Sequence, residues 1–427
     1  MKWIRKFVEF LRRDSPSLLV FGRLGASALA LISAPIVARA IGPDGRGDTA
    51  AAIALFYIAP ILLALGIPLE VRRLSATSDA QSALRSARLF CLLALPVSAA
   101  ISVVLGHTLF TQFDESTRWV AMVGVALCPM MMSWSCDVSV LVAQGRYRGV
   151  MVMQIAQPGI YVLIVAALAI FQSASPATVL IASLCGTTTT FIVGMCLTKT
   201  SITGSYFPFL VLTKNAIRFA GSSIAEAASS RLDQVLVLPL IGSFQAGIYS
   251  VAVTVAAIPL SFGQALGASY FTPMARAEGA DRRNLQTEAV RSAAALAILS
   301  CPVLAIAIYF GLPMLFGESF EDSVSIALIS LVGTAGMMTA YVCSMALAAE
   351  GRGGIMSVAQ VISLAVGVGL LFLLGPAFGA AGAAVASTIS YFLLLFVLIS
   401  ALRVPLRRCI PMLGDFHNSI HKLLKGK

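Results

Sequence analysis

A few ionisable residues interrupt long apolar stretches of this sequence, and they are the first candidates for chemistry. Glu226 and Asp233 are seven residues apart, which places them on nearly the same face of a helix. Carboxylates that share one face of an apolar helix can bind a proton or a small cation. We therefore predict an ion-coupling site at Glu226 and Asp233. The alternative is that both belong to a buried structural network.

Three further charged residues have the chemistry to hold an anionic ligand. Arg23 and Arg231 carry planar guanidinium groups, which bind phosphate and carboxylate groups through paired hydrogen bonds. Asp137 lies at a depth in its apolar stretch similar to that of Arg23 and is the expected partner of this arginine. We predict substrate-binding roles for Arg23, Arg231 and Asp137. Alternatively, Arg23 extends its charge to the membrane surface, and Arg231 joins the structural network. Arg231 and Asp233 point in nearly opposite directions on one helix, so we expect no simple pair between them.

The sequence lacks the residue patterns of several other chemistries. Its three histidines are His107, His417 and His421, and the last two have a metal-like spacing without a third ligand nearby. No phosphate-binding Gly-Lys-Ser/Thr motif occurs. We therefore expect no metal, no cofactor and no ATP hydrolysis.

The elements that carry these residues must be membrane-spanning helices. Hydrophobic residues make up 58% of the 427 residues and charged residues only 11%, whereas soluble domains contain about 25% charged residues. Apolar stretches of about 20 residues recur along the chain, and lipid leaves their peptide groups no partner outside the helix itself. We predict an all-α polytopic membrane protein with about twelve spans, near 17–40, 49–70, 87–110, 118–143, 149–171, 176–198, 216–241, 247–272, 290–311, 323–349, 354–375 and 378–402. The longest loops are expected at 71–86, 199–215 and 273–289.

The distribution of positive charge predicts the orientation of these spans. All but five of the 30 basic residues fall in the N-terminal segment, in the connections after even-numbered spans, within the first three residues of the spans that follow these connections, or in the tail. The exceptions are Arg23, Arg39, Arg46, Arg118 and Arg231. Cytoplasmic loops carry an excess of Lys and Arg, so we expect both chain ends in the cytoplasm and the protein in the cytoplasmic membrane. The net charge of +11 then reflects topology and attraction to anionic lipid, and nucleic acid is not an expected partner.

The chain also contains an internal repeat. The turn Gln144-Gly145-Arg146 recurs as Glu350-Gly351-Arg352, and the Gly-rich segment 42–47 recurs at 242–247, in both cases six spans later. An even offset preserves orientation, so we predict two six-helix bundles related by an axis along the membrane normal. Alternatively, Gly-rich turns resemble each other wherever the chain turns tightly. The expected domains are an amphipathic cytoplasmic segment 1–14, an N-terminal bundle 15–198, a linker 199–215, a C-terminal bundle 216–402 and a basic cytoplasmic tail 403–427.

Several of these motifs, taken in order, resemble one known family. Ile41–Gly47 after span 1, Arg231–Gln234 within span 7, Gly247–Ser250 at the start of span 8 and the turn Gln144–Arg146 are similar to segments of the polysaccharide flippases. These are the O-antigen and exopolysaccharide translocases of the multidrug/oligosaccharidyl-lipid/polysaccharide exporter superfamily, and the resemblance covers roughly 15–402. It implies two six-helix bundles around a central, often cationic cavity, which work by alternating access. It also implies a cargo of undecaprenyl-diphosphate-linked oligosaccharide, moved from the cytoplasmic to the outer leaflet.

The resemblance leads to an expected function and two alternatives. We expect a flippase rather than an enzyme, with lipid-linked oligosaccharide, membrane lipids and the glycan polymerase or glycosyltransferases of the same pathway as partners. One alternative is an ion-coupled drug or metabolite antiporter of the same superfamily, which would need a smaller and drier cavity. The other is a membrane-embedded glycan polymerase, ligase or acyltransferase. Such an enzyme would need carboxylates, His or Arg clustered in a sizeable outer loop, whereas the longest predicted loops are cytoplasmic.

Overall fold

The described part of the chain is built from α-helices and two short 3₁₀ helices, without β-strands. The computed structural model describes residues 14, 17–77, 80–201, 203–404 and 411. The predicted amphipathic segment 1–14, apart from Asp14, and most of the tail, including His417 and His421, lie outside these residues. The described helices are α1 (Ser17–Ala64), α2 (Ile67–Thr77), α3 (Ala80–Leu93), α4 (Leu95–Thr108), α5 (Glu115–Ala126), α6 (Cys128–Ala143), α7 (Tyr147–Ile170), α8 (Pro176–Thr198), α9 (Phe209–Ala256), α10 (Leu260–Arg276), α11 (Gly279–Phe316), α12 (Ser323–Ala349) and α13 (Gly353–Leu402), with 3₁₀ helices at Phe110–Gln112 and Glu318–Phe320.

Three of the longest helices are interrupted by a single glycine. Gly42 in α1, Gly242 in α9 and Gly379 in α13 have positive φ angles of 69°, 81° and 60°. Glycine adopts this backbone conformation at little cost, so each of these helices consists of two helical segments. Within the described residues, eight helices are long and apolar enough to cross a membrane, or nine if the bent pair α5–α6 forms one span. Counting both segments of the three broken helices gives about twelve spans, which confirms the predicted all-α polytopic fold.

The helices extend beyond the apolar stretches that predicted them. α2 and α3 fill most of 71–86, α9 begins inside 199–215, and α11 begins inside 273–289. The prediction of long loops at these places is therefore wrong. Hydropathy marks the point at which side chains leave the lipid, whereas the hydrogen-bonded backbone continues through residues such as Ala, Arg and Gln, which favour helices.

The predicted repeat is visible in the backbone of two turns. Gly145 after α6 and Gly351 after α12 have positive φ angles of 70° and 74°. In each turn, the arginine that follows donates its amide to the carbonyl five residues earlier, at 2.9 Å in both cases. This bond defines a Schellman motif, which satisfies carbonyl groups at the end of a helix. Equivalent helices in the two halves thus end in the same way.

The side chains of these two turns have diverged. Glu350 in the second turn accepts hydrogen bonds from Gln286 at 2.7 Å and from Arg352 at 2.9 Å. It lies just beyond α12, outside the span. Burial alone would raise the pKa of Glu350, but the hydrogen bonds from Gln286 and Arg352 and the charge of Arg352 lower it overall. Gln144 takes the equivalent position in the first turn, which therefore lacks this carboxylate.

Residue contacts divide the chain into two compact units. The first comprises Met1–Ile41 and Asp48–Leu232, and the second comprises Gly42–Gly47 and Asp233–Lys427. In the first unit, the beginning of α9 packs in a buried apolar cluster with α2, α3 and α6. In the second unit, a buried apolar cluster joins α10, α11, α12 and α13. The boundary between the units falls inside α9, and the predicted division of two bundles at 199–215 stays a prediction.

The two Gly-rich segments of the repeat touch each other inside the second unit. A methyl group on Gly47 would lie 2.9 Å from the nitrogen of Gly247, and one on Gly247 would lie 3.1 Å from the nitrogen of Gly47. The same two methyl groups would overlap the carbonyl oxygens of Ser243 and Pro43, respectively. The approach is reciprocal, and only a residue without a side chain fits at either position.

A side chain at this contact should destabilise the protein. We expect Gly247→Val to lower the free energy of unfolding by about 1–3 kcal/mol, since overpacking in a tight site forces the backbone to move. The measurement is the thermal unfolding temperature of the purified protein in detergent. Gly369→Ala is the matched control, because Gly369 lies on α13 with open space around it. An unchanged unfolding temperature for Gly247→Val would contradict the close approach.

Candidate substrate and ion-coupling sites

Asp233 is held by a hydrogen-bond network inside the second unit. The hydroxyl of Tyr249 donates to Asp233 Oδ2 at 2.6 Å and lies 3.1 Å from the hydroxyl of Ser387. The backbone amide of Gln234 donates to Asp233 Oδ1 at 2.9 Å. Tyr249 is only 1% exposed, and Asp233 is half-buried. The network connects the two segments of α9 with the second segment of α13.

Three motifs that carry the family resemblance converge in this unit. Asp233 of one motif bonds Tyr249 of the second, and Gly247 of the second packs against Gly47 of the third. Sequence reasoning found Asp233 but missed Tyr249 and Ser387. Hydroxyl groups are common in membrane helices and often bond their own backbone. Residue spacing within one helix shows which side chains share a face. It does not show which hydroxyl group will contact a carboxylate on another helical segment.

Arg231 is stacked on an aromatic ring in the first unit. Its guanidinium carbon lies 4.5 Å from the centre of the Tyr57 ring, which is a cation–π distance. Stacking uses the face of the guanidinium group, whereas its N–H groups lie in the plane and remain able to bind an anion. Arg231 and Asp233 thus belong to different units and have different partners, although they are two residues apart.

For two other predicted site residues, Arg23 and Glu226, the structure describes no side-chain contact that bears on their predicted roles. Arg23 is exposed on the first segment of α1. Glu226 lies on α9, but its side chain is outside the described part of the structure. Its predicted face shared with Asp233 therefore stays a prediction. Among the described residues, no group of three His, Cys, Asp or Glu side chains is arranged to hold a metal ion.

Asp137 on α6 is completely buried in the first unit and forms an ion pair. A guanidinium nitrogen of Arg88 lies 2.8 Å from Asp137 Oδ1, and the hydroxyl of Thr198 donates to the same oxygen at 3.1 Å. Oδ2 has no hydrogen-bond donor among the described residues. Gly194 provides the space for this oxygen, since a methyl group there would lie 2.7 Å from it. The ion pair and its hydroxyl link α3, α6 and α8.

The structure therefore gives Asp137 a different partner from the expected one. Sequence reasoning paired it with Arg23 and assigned Arg88 to a cytoplasmic loop. α3 already begins at Ala80, so Arg88 lies within the helix, from which its long side chain reaches the next span. The pair with Arg88 favours a structural role for Asp137, and its role in substrate binding stays a prediction.

Comparison with solved structures shows the class of fold to which the whole chain belongs. The lipid II flippase MurJ in an inward closed conformation matches with a TM-score of 0.78, covering 95% of this chain and 91% of that chain at 14% identity. An inward-facing multidrug resistance transporter of the MATE family and MOP superfamily matches with a TM-score of 0.64, covering 91% and 98% at 14% identity. A MATE protein in the straight conformation matches with a TM-score of 0.59, covering 92% and 94% at 14% identity. At this identity the likeness concerns the fold alone, which is that of the multidrug and flippase transporters.

The sequence defines the family within this class. The profile of the family described as polysaccharide biosynthesis protein matches residues 36–325, which is more than half of the chain. The chain therefore belongs to the polysaccharide biosynthesis protein family, and it is a multi-pass membrane protein. No curated protein sequence matches it significantly. The resemblance predicted from its motifs is confirmed at the level of family and fold.

Removing one oxygen tests the Asp233 network. Tyr249→Phe keeps the ring but deletes the donor to Asp233, and loss of a buried hydrogen bond costs about 1–3 kcal/mol. We expect a lower unfolding temperature for Tyr249→Phe, and a much smaller further loss when Asp233→Ala, which removes the acceptor, is already present. The measurement is a double-mutant cycle of thermal unfolding. Tyr309→Phe is the control, since Tyr309 is 62% exposed. Strictly additive losses would contradict the contact.

The Asp137 pair can be tested by removing one charge or both. Asp137→Asn leaves Arg88 without its carboxylate and should destabilise the protein by about 3 kcal/mol. Arg88→Met combined with Asp137→Leu removes both charges and should recover most of this loss. Unfolding temperature and the yield of monodisperse protein report the difference. If Asp137→Asn is as stable as wild type, the pair has no structural role and the substrate-binding hypothesis gains support.

Proposed function

We propose that the protein is a flippase for a lipid-linked oligosaccharide, an undecaprenyl-diphosphate-linked repeat unit used to build cell-surface polysaccharide. It would move this cargo from the cytoplasmic to the outer leaflet of the cytoplasmic membrane by alternating access. The observation that carries the proposal is membership of the polysaccharide biosynthesis family together with a lipid II flippase fold over nearly the whole chain. The TM-score of 0.78 for that flippase exceeds the 0.64 and 0.59 for the multidrug transporters. This order supports the flippase over the drug antiporter.

Short connections support transport rather than covalent chemistry. The connections after odd-numbered spans are single glycines at 42, 242 and 379 or short segments at 109–114, 171–175 and 317–322, all within the described residues. A glycan polymerase, ligase or acyltransferase would need a sizeable polar loop on one side of the membrane. These six connections have no room for one, which speaks against an enzyme.

Arg231 and Arg23 are the proposed contacts for the diphosphate. The guanidinium carbon of Arg231 lies 4.5 Å from the centre of the Tyr57 ring, and this contact helps to hold the guanidinium group in place. A guanidinium group whose orientation is fixed in advance loses less entropy when it binds a phosphate. Arg23 is exposed on α1 and lies near the end of the span that we expect to face the cytoplasm, where the cargo would enter.

Glu226 and Asp233 are the proposed ion-coupling residues. A proton or cation at Asp233 would change the charge that accepts the hydrogen bond of Tyr249. Because Tyr249 also contacts Ser387, this change would alter the contact between α9 and α13 inside the second unit. A ligand shifts a conformational equilibrium only if its contacts differ between the two states, and this network offers such a difference.

Reconstituted vesicles provide the direct test. The purified protein is placed in vesicles with a fluorescent polyprenyl-diphosphate-linked oligosaccharide, and a membrane-impermeant quencher reports its movement between leaflets. We expect protein-dependent movement that Glu226→Gln and Asp233→Asn each slow by roughly tenfold, the effect of losing one interaction of a charged group. Glu318→Gln is the control, because Glu318 is an exposed carboxylate in a connection.

Two results would overturn the proposal. One is a protein that leaves the labelled lipid in place but exports a cationic dye against an ion gradient, which would favour the antiporter. The other is normal surface polysaccharide in a deletion strain without a paralogue. The proposal predicts instead that such a strain accumulates lipid-linked repeat units that face the cytoplasm.

A further inference from the structure

A cavity lies in the first unit, between the span formed by α3 and α4 and the helices α6 and α8. Its volume is about 310 Å³, at the lower end of the range of ligand pockets. Most of its wall is apolar and includes Leu92, Leu95 and Phe191. One end of the wall carries Arg85 and Arg88. The cavity therefore combines an apolar body with a cationic end.

The cavity opens beside an exposed apolar surface. Leu89 and Leu92, which line it, are 40% and 62% exposed. The exposed surface continues along α4 with Val97, Val103 and Val104. A path for water at this depth would be lined by polar side chains, whereas these exposed side chains are aliphatic. An opening of this kind suits a molecule with apolar chains that comes from the bilayer.

The cationic end has one positive charge in excess. Arg85 donates to the carbonyl oxygens of Ser201 and Ser205, at 3.0 and 2.5 Å, and these neutral acceptors leave its charge in place. Arg88 shares its charge with Asp137. Two arginines beside one carboxylate favour a ligand with a single negative charge.

Buried polar atoms at the same end are without partners. Among the described residues, Nε of Arg88 and the hydroxyl oxygens of Ser133 and Thr200 have no hydrogen-bond partner. All three residues line the cavity, and Ser133 is only 4% exposed. Buried polar atoms in proteins are nearly always hydrogen-bonded, so these three groups are hydrogen-bond donors still to be used near the cationic end. Rotation of their side chains would bring them to a ligand with several acceptor oxygens.

We infer that this cavity binds one anionic phospholipid, with its phosphodiester at Arg85 and Arg88 and part of an acyl chain along the apolar wall. A phosphodiester carries one negative charge, which matches the excess at the cationic end, and its oxygens can accept hydrogen bonds from the unpartnered groups. Basic pockets between membrane helices are known to bind anionic head groups. This site is distinct from the arginines proposed to bind the cargo, and its test does not depend on transport.

Lipid binding to the purified protein tests the inference. Delipidated protein in detergent is titrated with dioleoyl phosphatidylglycerol or dioleoyl phosphatidylcholine, followed by native mass spectrometry and thermal unfolding. We expect one bound phosphatidylglycerol that raises the unfolding temperature, and binding of phosphatidylcholine that is weaker by roughly tenfold or more. Arg85→Gln should weaken phosphatidylglycerol to a similar extent. Arg118→Gln, which removes an arginine that contacts His107 elsewhere, should not.

A second variant tests the role of the apolar opening independently of the two arginines. Leu92→Trp narrows the opening at a side chain that is 62% exposed, so the fold should tolerate it, and it leaves both arginines in place. We expect it to weaken phosphatidylglycerol as well. Equal binding of both phospholipids, or phosphatidylglycerol binding that neither Arg85→Gln nor Leu92→Trp changes, would overturn the inference. Equal stabilisation by glycerophosphoglycerol, which lacks acyl chains, would do the same. Tighter binding of undecaprenyl diphosphate than of phosphatidylglycerol would also overturn it and would assign the cavity to the cargo.

Discussion

Lipid offers a peptide group no hydrogen bond, and the described backbone of this protein follows from that constraint. The spans are helical throughout, and the chain passes between some of them through a single glycine at 42, 242 or 379. One residue with positive φ interrupts the helical ladder over the shortest possible distance, so few amides lose their partners. Beyond the apolar stretches, the helices continue through residues that favour helix formation. Where helices do end at Gly145 and Gly351, a Schellman bond satisfies those carbonyls.

Two aspartates meet this low-dielectric environment in different ways. Asp137 is fully buried against the guanidinium group of Arg88, so loss of either charge leaves the other unpaired. Asp233 accepts hydrogen bonds from Tyr249 and from the amide of Gln234, which are neutral donors. These contacts of the two aspartates thus differ in the charge of the donor, which is a guanidinium group for Asp137 and neutral groups for Asp233.

The sequence predicts those features that depend on local chemistry. Spans follow from hydropathy over about 20 residues, and the repeat follows from glycines that a turn requires. The features that it misses depend on contacts between helices. Arg88 has the charge expected of a cytoplasmic loop, and only the position of its helix beside α6 shows that it pairs with Asp137. Tyr249 belongs to a motif that the sequence marks, but its role as a partner of Asp233 depends on a distance that the motif does not show. Helix ends are missed as well, because polar residues that leave the lipid still form helix.

The contact of Gly47 with Gly247 has a consequence for how this sequence can change over generations. Each glycine leaves no space for a side chain on the other, and neither can become smaller to compensate for a substitution in its counterpart. The two positions therefore constrain each other, because a side chain at either one would disrupt the contact. Duplication of an ancestral half would supply both glycines at once, so the contacting pair would not have to arise separately in each half. Among homologues, this pair should stay fixed while the surrounding helices drift, and it would serve as an anchor for aligning the two halves of distant relatives.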